Sequence, residues 1–286
     1  ETYPAILGTP KNDFVKQRAD KLRTLSFWKN RGQEAGKQQV TELNQTIANA
    51  ISVQGSLFYR FNSSGASGYD LVGTAQAIMN ERKLKDNGRN FMLNDRDNLT
   101  FASDLAGRQT VQGRPEDAWA KGQIGNNVAG FDVHTGSFLP NIAGGASPGT
   151  TVTGDQSFAP EAGTVNATTG VVTNIDYRTA DIPVAASGSY NVGDKVTIGA
   201  VQSVNLATKA ATGQLITFTI VAKPDATTIT VFPKPIAYDD AALTDTEKMY
   251  ANIDTTISNT DVVARLNTDA SKKTNLFWDK SAVEVL

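Results

Sequence analysis

The chain contains no cysteine. Disulfides, thiolate metal sites and cysteine nucleophiles are therefore excluded. Histidine occurs once, at His134, so no second imidazole is available to share a metal. Neither sign of charge dominates: 27 Lys and Arg stand against 29 Asp and Glu, for a net charge of −2. That balance supplies no strong field for nucleic acid or for an anionic membrane surface. No apolar run approaches the ~18–20 residues that span a bilayer. No basic-then-apolar signal peptide opens the chain at Glu1. Glycine is plentiful, yet no Gly-x-Gly-x-x-Gly or Walker spacing occurs, so a phosphate cradle is not indicated.

What remains is the composition of a folded protein. The 286 residues are 40% hydrophobic and 20% charged, enough to bury a core as one large domain or two smaller ones. Composition changes near Gly144. Helix formers and charges are common before it. From Gly145 to about Pro235 the chain turns rich in Thr, Val, Gly, Ala and Ser. The run Gly144-Gly145-Ala146-Ser147-Pro148-Gly149 reads as a linker between the two regions.

Residues 2–7 form a short apolar segment that reads as a strand, and Asp13 is a candidate N-cap ahead of Phe14 and Val15. From Thr24 to Val53 the pattern is helical and free of proline. Val40, Leu43, Ile47 and Ile51 recur at spacings of three and four and share one face. Some 30 residues at 1.5 Å each reach about 45 Å, long enough for a structural spine. Gly32 and Gly36 lie one turn apart in it and would permit a bend or a close backbone approach. The alternative is two shorter helices broken near Gly32.

A helical pattern recurs over Tyr69–Leu84. Phe91-Met92-Leu93 reads as a buried strand, and Asn94-Asp95 can cap a helix carrying Leu99, Phe101 and Leu105. Pro115 opens a further candidate helix with Trp119 as its anchor, and Val128–Val133 reads as a strand. In the centre, Lys195–Val201 follows a Gly193-Asp194 turn. Ile216, Phe218 and Ile220 alternate with Thr217, Thr219 and Val221, and Thr228–Phe232 repeats the pattern. Short strands between turns predict a small barrel or a sandwich. A polar helix near Thr244–Tyr250 and a strand near Val283–Leu286 end the chain. Trp278, beside Phe277, is expected in the core.

Candidate chemistry is thin. His134 near Asp132 could act as a base, but it follows a strand and has no nucleophile elbow to activate. The acid pairs Asp95/Asp97, Asp239/Asp240 and Asp245/Glu247 lie where turns or helix starts are predicted, and there acids serve as ordinary caps. Lys29, Arg31 and Lys37 are diluted by Glu34 and Glu42, as on a solvated helix face. No metal, cofactor or catalytic constellation is read from these residues. A structural or interaction protein is what the residues leave. Its rivals are a β-rich secreted or virion-surface adhesin, suggested by the Thr/Gly/Val centre, and a hydrolase built on His134 or Asp239-Asp240.

An ordered set of strings narrows the choice. Asn12-Asp13-Phe14 is followed by Arg18-Ala19-Asp20-x-Leu22-Arg23. Next come Val128-Ala129-Gly130-Phe131-Asp132, Gln156-Ser157-Phe158-x-Pro160 and Gly193-Asp194-Lys195. Pro233-Lys234-Pro235-x-Ala237-x-Asp239-Asp240, Tyr250-Ala251-Asn252 and Thr274-Asn275-x-Phe277-Trp278 complete it. The set resembles the coat protein of short-tailed bacteriophages of the P-twenty-two type and spans nearly the whole chain.

The resemblance implies an α+β, HK-ninety-seven-like capsid fold. Residues 1–56 would form a peripheral domain with the spine helix, and 57–143 with 269–286 an axial domain. Residues 144–268 would be an inserted all-β barrel that folds by itself. It implies a major capsid protein that self-assembles into pentamers and hexamers of an icosahedral head around double-stranded DNA. Scaffolding and portal proteins would be its partners, packaged DNA would be met non-specifically, and no cofactor or membrane is involved. A loop reaching a neighbouring capsomer maps onto about residues 164–174, with Asn166, Thr168, Thr169 and Gly170 at its tip. That tip carries no charge, so hydrogen bonds rather than salt bridges are expected there. The family's N-terminal arm, its extended loop before residues 2–7 and its further C-terminal segment have no counterpart between Glu1 and Leu286, which reads either as a partly represented chain or as a natural remnant.

Overall fold

A computed structural model describes residues 25–60, 68–107, 125–145, 149–160, 164–165, 168–170, 172–173, 178–267 and 272–283. The expected strand at 2–7, the Asp13 cap and the Pro115–Trp119 helix lie outside them. The first helix, α1 (Leu25–Gln54), runs for 30 residues without a break through Gly32 and Gly36, so the two-helix alternative is set aside. Its apolar face is covered only toward its C-terminal end. Ala48 and Ser52 are buried, whereas Val40 and Leu43 are 58% and 52% exposed.

The sequence continues with α2 (Gly68–Glu81), β1 (Arg89–Leu93), α3 (Asp95–Gly107), β2 (Gly125–Val128) and β3 (Phe131–Thr135). The expected single strand at Val128–Val133 is therefore a hairpin. Ala129 and Gly130 both take positive φ, 49° and 77°, the geometry of a tight primed turn. Near the end of the chain, β16 (Leu276–Asp279) returns to pair antiparallel with β1, which pairs parallel with β3. The sheet order is β16-β1-β3-β2. Its return strand lies upstream of the expected 283–286, and residues 284–286 fall outside the described set.

Alternation along these strands sends side chains to two different cores. Phe91, Leu93 and Phe277 face Leu71, Val72, Ala75 and Phe101 of α2 and α3. Met92, Leu276 and Trp278 face the other way, toward Ala48 and Ile51 of α1. The sheet is thus held between the spine helix and a helix pair. Trp278 packs against the α1-side core, as expected, and is partly buried there. Leu99 is 73% exposed while Phe101 is fully buried. Two residues on a helix are about 200° apart, so the pair cannot share a face.

The remaining chain is mostly β. It comprises β4 (Asn141–Ile142), β5 (Thr150–Thr151), β6 (Thr164–Val165), β7 (Val172–Thr173), β8 (Ala180–Pro183) and β9 (Lys195–Ile198). Next come β10 (Gln202–Val204), β11 (Ala211–Leu215), β12 (Phe218–Asp225), β13 (Thr228–Phe232), β14 (Val262–Arg265) and β15 (Lys272–Lys273). One short helix, α4 (Asp245–Lys248), interrupts them, closed by a capping box between Thr244 and Glu247. Six strands form an antiparallel sheet in the order β5-β14-β9-β12-β13-β8. Its two edge strands also touch: Val152 bridges Val184. Ala185 N donates to Thr151 O at 2.9 Å, and Thr153 N to Pro183 O at 3.0 Å. Ile182, Val196, Ile198, Phe218, Ile220, Ile229, Val231 and Val263 fill the interior of this sheet.

Candidate assembly site

The joint between α1 and the six-stranded sheet is built from backbone ends and buried polar side chains. A helix leaves its last carbonyls unpaired. At the end of α1 the carbonyl of Gly55 accepts from Lys195 Nζ at 2.9 Å and from Thr219 Oγ1. Lys195 Nζ also donates to Thr219 Oγ1 at 2.7 Å. The strand pattern predicts that Thr217 and Thr219 face water, yet both are buried, Thr219 completely. The reason is that β12 packs its second face against α1. Lys195 is 3% exposed. Burial pulls its amine down from the usual lysine range to about 7.

The neighbouring residue holds the chain where it enters the β region. Asp194 is fully buried, and its Oδ2 accepts from Gly145 N at 3.1 Å and Asn191 N at 2.8 Å. Its Oδ1 accepts from Asn267 Nδ2 at 2.9 Å, while Asn267 Oδ1 accepts from Lys195 N at 3.0 Å. Gly145 therefore does not behave as a loose linker. It is buried, and a Cβ added there would lie 2.0 Å from Ser189 O. A second tie joins the regions at α2, whose Glu81 carbonyl accepts from Asn205 Nδ2 at 3.2 Å.

Two outward features face solvent. The hairpin β6–β7 pairs Thr164 with Thr173 and Val165 with Val172. Beyond it Thr168, Thr169 and Gly170 are exposed, with Gly170 at φ +67°. Asn166 lies outside the described residues. The other feature is the outer part of α1, where Leu25 is 83% exposed. At Gly32 and Gly36 an added Cβ meets nothing within 4 Å, so none of the described residues makes a close approach there.

The sequence-predicted acids and His134 do not converge. His134 sits exposed on β3 opposite Met92. Asp97 belongs to the α3 cap, accepting at Oδ2 from Asn94 Nδ2 and Asn275 Nδ2, both at 2.7 Å. Asp239 accepts from Thr256 N at 2.9 Å, Asp240 from Ser157 Oγ at 2.6 Å, and Glu247 serves the α4 cap. Among the described residues no group of three His, Cys, Asp or Glu could hold a metal ion, and no helix is long and apolar enough to cross a membrane.

A family model described as "P22 coat protein - gene protein 5" matches residues 2–286. The chain belongs to that coat protein family. It is a structural protein of a bacteriophage capsid, which assembles from copies of itself, and the family is not an enzyme class. Membership places the protein in the virion and does not favour the adhesin reading. A solved structure, the CUS-3 coat protein I-domain, is 29% identical over 43% of this chain and 98% of that chain, with a TM-score of 0.33. For a coat protein, the features that matter are surfaces left for neighbours and joints that set their angle. Sequence reasoning located the spine but gave no role to Lys195 or Asn205. The Gly193-Asp194-Lys195 string was the one available signal. It was legible as a turn, with nothing to say where the lysine pointed.

Proposed function

We propose that the subunit is an HK-ninety-seven-like major capsid protein that tiles pentamers and hexamers of an icosahedral head around double-stranded DNA. The observation that carries this reading is the spine. Its apolar face is seated on the body at Ile51 and Ala48 and continues into solvent at Leu43 and Val40. An apolar stripe that outruns its own core is a surface for a neighbouring copy. The outer spine therefore packs on an adjacent subunit, and the open space at Gly32 and Gly36 admits a bend or a close backbone approach there.

Residues 144–268 are read as an inserted all-β barrel, between peripheral residues 1–56 and axial residues 57–143 and 269–286. The bridge between Val152 and Val184 supports closure, because it joins the first strand of the six to the last. The uncharged tip around Asn166, Thr168, Thr169 and Gly170 reaches a neighbouring capsomer through hydrogen bonds. A scaffolding protein guides assembly, a portal protein occupies one vertex, and DNA is met without sequence preference. Each contact can be weak, since closure makes every subunit multivalent.

The test is a double substitution, Val40→Asp with Leu43→Asp, co-expressed with the scaffolding partner. Both residues are exposed, so the subunit should keep its stability within about 0.5 kcal/mol. Electron microscopy should show loss of closed shells. Normal shells from the double variant would defeat the spine-face assignment.

A further inference from the structure

The geometry points to Lys195 as a proton-operated latch between the spine helix and the β region, shut while its side chain is an uncharged amine and released when it gains a proton. The case begins with counting hydrogens. A neutral amine carries two N–H groups, and both find acceptors, in Gly55 O at 2.9 Å and Thr219 Oγ1 at 2.7 Å. Thr219 Oγ1 in turn donates to Gly55 O, so the three groups form a closed ring. An ammonium carries a third N–H, and among the described residues no third acceptor meets it. Protonation thus strands a donor and a charge in a place that is 3% exposed.

The surrounding charges do not compensate. The last turn of α1 has no charged residue. Just before β9, Asp194 already holds Gly145 N, Asn191 N and Asn267 Nδ2. On β12, Lys223 donates to Tyr190 O. On β14, Arg265 stands opposite Val196, and Asn267 is uncharged. No carboxylate forms an ion pair with Lys195 among the described residues. The carbonyl end of α1 favours a cation, but burial outweighs it, and the amine titrates near neutrality, at about 7.

Release would not separate the two regions. Asn205 Nδ2 still holds Glu81 O at the end of α2, and an amide does not titrate. One tie opens with pH and the other persists, which describes a hinge rather than dissociation. The latch lies within one subunit and needs no neighbour, so it stands or falls apart from the spine-face contact proposed above.

Hydrogen exchange of the full chain, read by mass spectrometry and corrected for intrinsic exchange, tests this between pH 8 and pH 6. Protection in peptides covering 51–57 and 216–220 should fall by up to about tenfold per pH unit as pH drops from 8 toward the transition near 7 and level off below it, while 89–93 stays unchanged. Lys195→Met should abolish that step, and Asn205→Ala should keep it. His134→Gln should also keep it, because the step belongs to Lys195. If Lys195→Met does not fold, Lys195→Gln replaces it, since it keeps an N–H donor and takes no proton. A flat wild-type profile overturns the latch by itself. So does a step that survives in the Lys195 variant or vanishes in His134→Gln.

Discussion

Buried polar atoms decide most at the scale of single residues. Lys195 binds a proton less readily folded than unfolded, so the sign of its linkage follows directly. Above about pH 10.5 the amine is neutral in both states. As pH falls from there toward 7 the unfolded chain takes up a proton that the folded chain does not, and stability drops. Below 7 both states are protonated and the contribution is constant. Wild type should therefore gain stability relative to Lys195→Met as pH rises from 7 to 9.5, by at most about 1.4 kcal/mol per unit. Urea unfolding at the two pH values measures it, and parallel curves for the two proteins would contradict it. Tyr190 is the second such residue. Its ring is fully buried, and its hydroxyl donates to Val263 O at 2.6 Å and accepts from Thr150 N at 3.1 Å. Tyr190→Phe should cost about 1–3 kcal/mol, because a donor and an acceptor are left unpaired. A loss below about 0.5 kcal/mol in denaturant titration would show that water replaces the phenol.

For elements, capping and alternation carry the argument. Asn94 Oδ1 accepts from Arg96 N and Asp97 N, both at 3.0 Å, and so starts α3. Its amide also donates to Asn275 Oδ1 at 2.9 Å, tying the helix to the segment before β16. Asn94→Ala should destabilise by about 0.5–2 kcal/mol. Leu99→Ala, at a position 73% exposed on the same helix, should stay within about 0.5 kcal/mol. Thermal unfolding of both variants checks the contrast, and equal losses would overturn it. The Asn94-Asp95 helix start, the unbroken α1 and the strand at Phe91-Met92-Leu93 were all legible in the sequence, because capping and periodicity are local properties. That Leu99 faces solvent was not legible, because its apolar character alone could not say which side of α3 the sheet would cover. The turn at Ala129-Gly130 escaped notice because the apolar pattern runs on through it.

Across the whole molecule the decisive feature is the separation of its cores. The β strands between Thr150 and Arg265 build their own interior from Val196, Phe218, Ile220, Ile229 and Val263. The body keeps separate cores around Phe91 and Leu276. A polypeptide of residues 144–268 should therefore melt cooperatively by itself, as seen by calorimetry. An uncooperative transition would mean that it needs the α1 end, where Gly55 meets Lys195 and Thr219.

Local sequence was sufficient for the long rod, the change of composition at Gly144 and the β character of the centre. Helix period, strand period and residue inventory do not depend on distant partners, so they can be read along the chain. The order β5-β14-β9-β12-β13-β8, the return of β16 beside β1 and the burial of Thr219 and Lys195 belong to tertiary structure. Each depends on which surfaces meet across large separations: Lys195 lies 140 positions from Gly55. A strand pattern marks one face as apolar, but only packing reveals that the second face is covered as well.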